Sequence, residues 1–311
     1  MRAVGVSRFG GPEVLEAVEL EEPVPGPGEV RVRVAAATVN PTDLGLRSGR
    51  WERELADRPP PWVPGMELAG VIDAVGPGAG WNVGDRVMAI VLPTGPHGGA
   101  QAEQVVVPAA SVGRSPAGAS DAQAATLPMN GLTVRLALDM LALEPGQTLA
   151  VTGAAGAVGG YAIELGKLDG LTVIADAAPA DEALVRELGA DIVVPRGEGA
   201  VAAIRDAFPA GVDGVIDAAL LNAAILPAIR DGGGLAVVRG YAGESERGIT
   251  VHQVFVRDYA SNQAALAVLG ELAQAGRLTL RVAQTLPPER AGDAHRMLEA
   301  GGVRGRLLIA F

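Results

Sequence analysis

The stretch Leu149–Lys167, LAVTGAAGAVGGYAIELGK, constrains this chain more than any other. Leu149–Thr152 is an apolar run of strand length. Gly153, Gly156 and Gly159 follow it, and Tyr161–Lys167 continues as a helix-length segment. A strand that turns on glycines into a helix gathers unpaired backbone N–H groups and the positive end of the helix dipole at one point. The glycines also let an anion approach the backbone closely. The spacing is G-x-x-G-x-x-G rather than G-x-G-x-x-G, and glycine spacing alone identifies little in a chain with 43 glycines. Context adds to it: a second strand, Leu171–Ala175, ends at Asp176, which outlines a βαβ unit. The segment is read as a dinucleotide site, with Gly153, Ala155, Gly156, Ala157, Val158 and Gly159 around the pyrophosphate. An ordinary tight turn is the alternative.

The texture of the chain changes near Ser120. Before it, alternation at Val30, Val32 and Val34, the runs Gly65–Val75, Asp85–Leu92 and Gln104–Val107, and frequent Gly/Pro turns predict a closed or partly closed β-barrel. Asn40-Pro41-Thr42-Asp43 predicts a short helix start, and Ser120 with Gln123 a capping box before a helix at Thr133–Leu143. Strand and helix then alternate to about Gly243: strands at 149–152, 172–175, 192–194, 212–218 and 235–238, and helices at 160–168, 181–188, 200–207 and 223–229. That alternation predicts a doubly wound parallel sheet. Helices at 262–276 and 288–300 and strands at 280–283 and 306–311 close the chain. The fold class is therefore α/β, with residues 1–122 and 252–311 in a barrel domain and 123–251 in a dinucleotide-binding domain.

A chain of 311 residues is long enough for two cores. Its net charge of −11 argues against nucleic acid or an anionic membrane as a partner. There is no cysteine, which removes thiolate catalysis, disulfides and Cys-containing zinc sites. With no signal-like segment at the start and no long apolar run, a cytoplasmic protein is expected.

Three segments together resemble the medium-chain dehydrogenases/reductases: Gly65–Leu92, the glycine turn, and the closing VRGRLLIAF. The branch they resemble is the zinc-free quinone oxidoreductases, the zeta-crystallin-like group. The resemblance implies a GroES-like barrel completed by both chain ends, with a Rossmann domain inserted. Asn40 and Met66 stand where the zinc-dependent branch has Cys and His ligands, and neither is a useful zinc ligand, so no metal is expected.

The same resemblance implies site residues. Asn40 would donate an amide hydrogen bond to a substrate carbonyl, or else only cap its helix. Asp43 is read as structural. Trp51 and Gly45 occupy positions where some quinone reductases have tyrosines, so Trp51 would form an apolar wall, with Met66, Met129 and Asn130 beside it. Thr133 would contact the cofactor or act as a capping hydroxyl. Gly240 and Tyr241 follow a strand at the carboxyl edge of the sheet, where Tyr241 would cover a nicotinamide or be a half-buried aromatic.

The branch usually takes NADPH. Residues 177–185 contain no Lys or Arg, and Asp176 favours a free ribose hydroxyl, hence NADH. Arg186 or Arg196 could reach a 2′-phosphate, and NADPH is expected if Asp176 faces away. The function implied is reduction of a quinone or an activated double bond (enone, alkenal or enoyl) as a small-molecule substrate. A cofactor-binding sensor or structural protein without turnover is the rival. The alternating stretch Ile249–Val256 is a candidate homodimer edge or an internal strand.

Overall fold

The computed structural model describes residues 1–311. The chain forms two units. The first comprises Met1–Met129, Ala260–Ala275 and Leu280–Phe311, and the second Asn130–Tyr259 and Gly276–Thr279. These borders differ from 122/123 and 251/252. Helix α3 (Asp121–Ala124) belongs to the first unit, and residues 252–259 stay with the second, 252 and 253 as the end of its last strand.

In the first unit β1 (Arg2–Val6) and β2 (Leu15–Glu19) form an antiparallel hairpin. A seven-stranded sheet contains β3 (Glu29–Thr38), β4 (Glu67–Val75), β5 (Arg86–Ile90), β6 (Gln104–Pro108), β7 (Val112–Arg114), β14 (Val282–Leu286) and β15 (Arg306–Ala310). Its path runs β14-β15-β3-β4-β5-β7, and β6 pairs with the first half of β3 while β15 pairs with its last residues. One strand thus serves two partners on the same side, and the sheet curls around Val30, Val32, Leu68, Ile72, Val87, Val105 and Val107, all buried. Short helices α1 (Pro41–Arg47) and α2 (Glu52–Leu55) leave the end of β3. Helices α8 (Gln263–Gln274) and α9 (Ala291–Ala300) complete the unit. The strand expected at 280–283 forms at 282–286, because register with β15 and not local pattern places it.

The second unit is a six-stranded parallel sheet: β8 (Thr148–Thr152), β9 (Thr172–Ala177), β10 (Ile192–Pro195), β11 (Val212–Asp217), β12 (Ile229–Val237) and β13 (Thr250–Gln253). The order is β10-β9-β8-β11-β12-β13, with every neighbouring pair parallel. This is the 3-2-1-4-5-6 order of doubly wound dinucleotide folds, whose order reverses between β8 and β11. Helices α5 (Ala157–Leu168), α6 (Glu182–Glu187) and α7 (Ala200–Ala207) connect the strands, and α4 (Pro128–Leu141) leads in. The helix expected at 223–229 is instead a 3₁₀ segment, Asn222–Ala228, and β12 begins at once after it. Pro227 lies inside that segment and denies it an α-helical hydrogen bond. β13 is an edge strand within the chain, which leaves the expected dimer edge a candidate.

Helix α1 is fixed from its last turn. Buried Arg47 donates from Nε to Nδ1 of His295 at 3.2 Å, from Nη1 to the Gly10 carbonyl at 2.9 Å, and from Nη2 to Glu299. Burial, and then the neighbouring Arg47, push His295 down from 6.5 to about 3, so its imidazole stays neutral. An unfolded histidine takes up a proton below 6.5 and the folded one does not. Its contribution is therefore intact above pH 6.5 and is lost at about 1.4 kcal/mol per unit as pH falls toward 3. Asp43 opposes it: burial raises its carboxyl to about 7 from 3.8, and stability gained there grows as pH falls from 7. His295→Asn keeps an acceptor for Arg47 without the titration. Its melting temperature should rise relative to wild type as pH is lowered from 7 to 5; a constant difference would contradict the assignment.

Candidate functional site

The glycine turn in the second unit joins β8 to α5. Gly153 has φ +64°, and a Cβ there would lie 3.1 Å from the carbonyl carbon of Ala218 and from the Ala219 nitrogen. A Cβ on Gly159 would lie 2.3 Å from the Gly153 oxygen and 2.6 Å from the Ala154 Cα, so α5 can pack on the turn only with glycine there. Gly156 is the N-cap of α5, with extended backbone. The first-turn amides of Ala157, Val158 and Gly159 have no intrahelical partner by helix geometry. With the helix dipole they fit a pyrophosphate, and Gly156 leaves its approach open, since a Cβ there would meet only the Gly153 oxygen at 3.1 Å. Ala155 lies in the same turn and is buried.

Asp176, near the end of β9, turns back into this turn. It is buried, and its Oδ1 accepts from the Ala154 amide at 3.0 Å. Burial raises its carboxyl above the usual range, against the pull of the Ala154 amide and Arg196. Arg196 and Arg186 are both exposed, and the Arg196 amide donates to the Ala177 carbonyl. Along β12 the chain continues to Gly240, at φ +85°. Tyr241 is half-buried, its backbone clamped on both sides by the Gln253 amide: Tyr241 N donates to Oε1 at 3.0 Å, and Nε2 donates to the Tyr241 carbonyl at 2.6 Å. Its hydroxyl donates to the Glu244 carbonyl at 3.2 Å. Asn130 and Thr133, one turn apart on α4, are both buried, and Asn130 Nδ2 has no hydrogen-bond partner.

In the first unit the expected residues fall into two places. Asn40 is wholly buried in a polar cluster with Thr38, Glu67 and Arg306. Its Oδ1 accepts from Arg306 at 2.5 Å, and its Nδ2 donates to the Thr38 hydroxyl at 3.0 Å. Thr38 in turn donates to Glu67 at 2.7 Å, and Arg306 also reaches Glu67 at 2.5 Å. Asn40 is also the N-cap residue of α1, in a capping box with Asp43. Asp43 closes that end: Oδ2 accepts from the Asn40 amide at 2.7 Å and Oδ1 from the Gly65 amide at 2.9 Å. Trp51 lies half-buried over α1, with Nε1 donating to the Thr42 carbonyl at 3.3 Å. A Cβ on Gly45 would sit 2.8 Å from that Nε1, so the indole takes the space a larger residue at 45 would need.

Glu67, Thr38 and Arg306, and also Thr152 and Asp217 in the second unit, stand out only in the folded structure. Each pairs with a residue distant in sequence, and nothing local marks them. No group of three or more His, Asp or Glu side chains comes together to hold a metal ion, and no helix is long and apolar enough to cross a membrane.

Comparison with known proteins agrees with this layout. The alcohol dehydrogenase GroES-like domain family matches residues 26–117, and the zinc-binding dehydrogenase family matches residues 188–309. A solved NAD-dependent alcohol dehydrogenase is 31% identical, with a TM-score of 0.85 and all of both chains covered. The quinone oxidoreductase from Coxiella burnetii is 28% identical, with a TM-score of 0.87 over 100% of this chain and 99% of that one. The chloroplastic quinone-oxidoreductase QR1 of Triphysaria versicolor is 34% identical over 202 residues, 62% of this chain and 60% of its own. The chain spans less than two thirds of the length of the curated relatives it matches.

Proposed function

The chain belongs to the medium-chain dehydrogenase/reductase family, in its quinone oxidoreductase-like branch and with that family's GroES-like and Rossmann-like domains, and from there we propose an NAD(P)H-dependent reductase of a quinone or an activated double bond. The observation that carries the proposal is the turn from Gly153 to Gly159, where steric need for glycine coincides with open amides at a helix N-terminus. When bound, a reduced nicotinamide supplies hydride to an electron-poor carbon. The protein's part is to hold the dinucleotide, shape the acceptor and donate to its oxygen as charge develops there.

We assign Ala157, Val158 and Gly159 to the pyrophosphate, and Gly240, Tyr241 and Thr133 to the nicotinamide half. Asn130 is the donor with capacity to spare. Its Nδ2 lacks any partner in a buried setting, where an unpaired amide costs about 1–3 kcal/mol, and a ligand oxygen would satisfy it. Asn40 retains one N–H beyond the one given to Thr38, and Trp51 supplies an apolar wall. The proton that completes the reduction comes from solvent. Asn130→Leu removes the donor at nearly constant volume. It should leave the melting temperature unchanged or raised and lower kcat/KM roughly 100-fold; an unchanged kcat/KM would remove Asn130 from the mechanism.

For the cofactor we propose NADPH. Asp176 is engaged by the Ala154 amide, which takes it away from a ribose, while Arg196 is exposed beside it. Arg196→Ala should weaken NADPH binding roughly 10-fold or more and change NADH binding little, the size of a lost charge-assisted hydrogen bond. Equal losses for both nucleotides would point to a general electrostatic effect. The activity itself is tested by following cofactor oxidation with 1,4-benzoquinone and with a simple enone. Turnover of either supports the reading, and tight cofactor binding without turnover of any acceptor supports a sensor or structural role.

A further inference from the structure

Two buried groups outside the assignments above meet where the strand order reverses. Thr152 and Asp217 are the last residues of β8 and β11 and lie opposite each other in register. That is the switch point, whose carboxyl-end crevice receives ligands in open parallel sheets. The Thr152 hydroxyl donates to Asp217 Oδ1 at 2.6 Å and accepts from the Ala219 amide at 3.1 Å. Asp217 also accepts from the amides of Leu221, at 3.1 Å on Oδ1, and Asn222, at 2.7 Å on Oδ2. The loop held in this way contains two non-glycine residues with positive φ, Leu220 at 62° and Asn222 at 55°. Such backbone persists only where the surroundings over-determine it, and it gathers at ligand sites. The same loop backs onto the phosphate turn, since Ala218 and Ala219 bound the space beside Gly153. Both side chains are buried, and their polar atoms are spent on each other and on the amides of Ala219, Leu221 and Asn222, so they act through the loop and not on a ligand.

We propose that Thr152 and Asp217 are positioning residues that lock the 218–222 loop against the glycine turn and thereby set cofactor affinity. The inference rests on the dinucleotide reading of Gly153–Gly159. A merely structural pair would shift melting temperature alone. Three variants separate the roles: Thr152→Val, which keeps shape and loses the hydroxyl, Thr152→Ser, which restores it, and Asp217→Asn, which leaves one backbone amide without an acceptor. The readouts are NADPH and NADH dissociation constants by fluorescence titration, amide hydrogen exchange across 218–222, and melting temperature. Thr152→Val and Asp217→Asn should bind the nucleotides about tenfold more weakly or worse, the scale of one buried hydrogen bond lost, with faster exchange in the loop. Thr152→Ser should bind within about twofold of wild type because the hydrogen bond is regained. If Asp217→Asn does not fold, the Val/Ser pair at 152 carries the test. Faster loop exchange with wild-type affinity in Thr152→Val would overturn the inference and leave the dinucleotide reading intact. Failure of the wild type itself to bind either nucleotide would overturn both.

Discussion

Gly159→Ala is expected to cost this protein its activity before it costs it the fold. The added Cβ would stand 2.3 Å from the Gly153 oxygen and 2.6 Å from the Ala154 Cα, and both obstacles are backbone. No side-chain rotation relieves them, so α5 and the turn must separate by something on the order of 1 Å. A misplacement of that size at a site of reaction costs roughly 100-fold. Overpacking of this kind costs about 1–3 kcal/mol in stability, less than most domains possess. Circular dichroism should therefore show a folded protein with a lower melting temperature, while kcat/KM for the cofactor falls about two orders of magnitude. Wild-type kinetics in Gly159→Ala would mean that the turn does not carry the phosphates.

Arg306→Met should be the most destabilising of the substitutions considered. Glu67 is wholly buried and Arg306 nearly so, and the guanidinium joins Glu67, Thr38 and Asn40 in one cluster. Met leaves the Glu67 carboxylate without its countercharge. Breaking a buried pair from one side costs about 3–5 kcal/mol, because the remaining charge is stranded. The double variant Glu67→Met/Arg306→Met removes both charges and should recover much of that loss, because buried pairs replaced by apolar groups are often close to neutral. Urea denaturation of the two variants checks this. A double variant as unstable as the single would show that packing, and not charge, was lost. The Asn40 side chain loses its Oδ1 donor in either case, so both variants should also impair any role Asn40 has toward an acceptor.

What could be read from the chain and what could not divides by the range of the interactions. The glycine turn, the alternation of strands and helices, and the alternating valines of β3 are local patterns, and period and turn chemistry expose them directly. The 3₁₀ segment at Asn222–Ala228 was hidden because apolar spacing imitates a helix, and Pro227 decides against it only in context. Pairings across long separations left no local mark. Arg306 meets Glu67 across 239 positions, and Thr152 meets Asp217 across 65. Asp176 is instructive: its place at the end of a strand was legible, but its direction was not. Whether that carboxylate faces a ribose or the turn depends on the Ala154 amide, which only the folded turn presents. Asn40 is similar. The sequence offered a helix cap or a substrate donor, and the side chain lies in a buried network anchored from β15.

A fluorescence titration of the purified protein with NADPH and with NADH tests most directly whether the glycine turn is a dinucleotide site. Saturable binding of a reduced nicotinamide cofactor, tighter for NADPH, is the predicted result. Tighter binding of NADH would reverse the roles given to Asp176 and Arg196. Binding of neither would contradict the central claim.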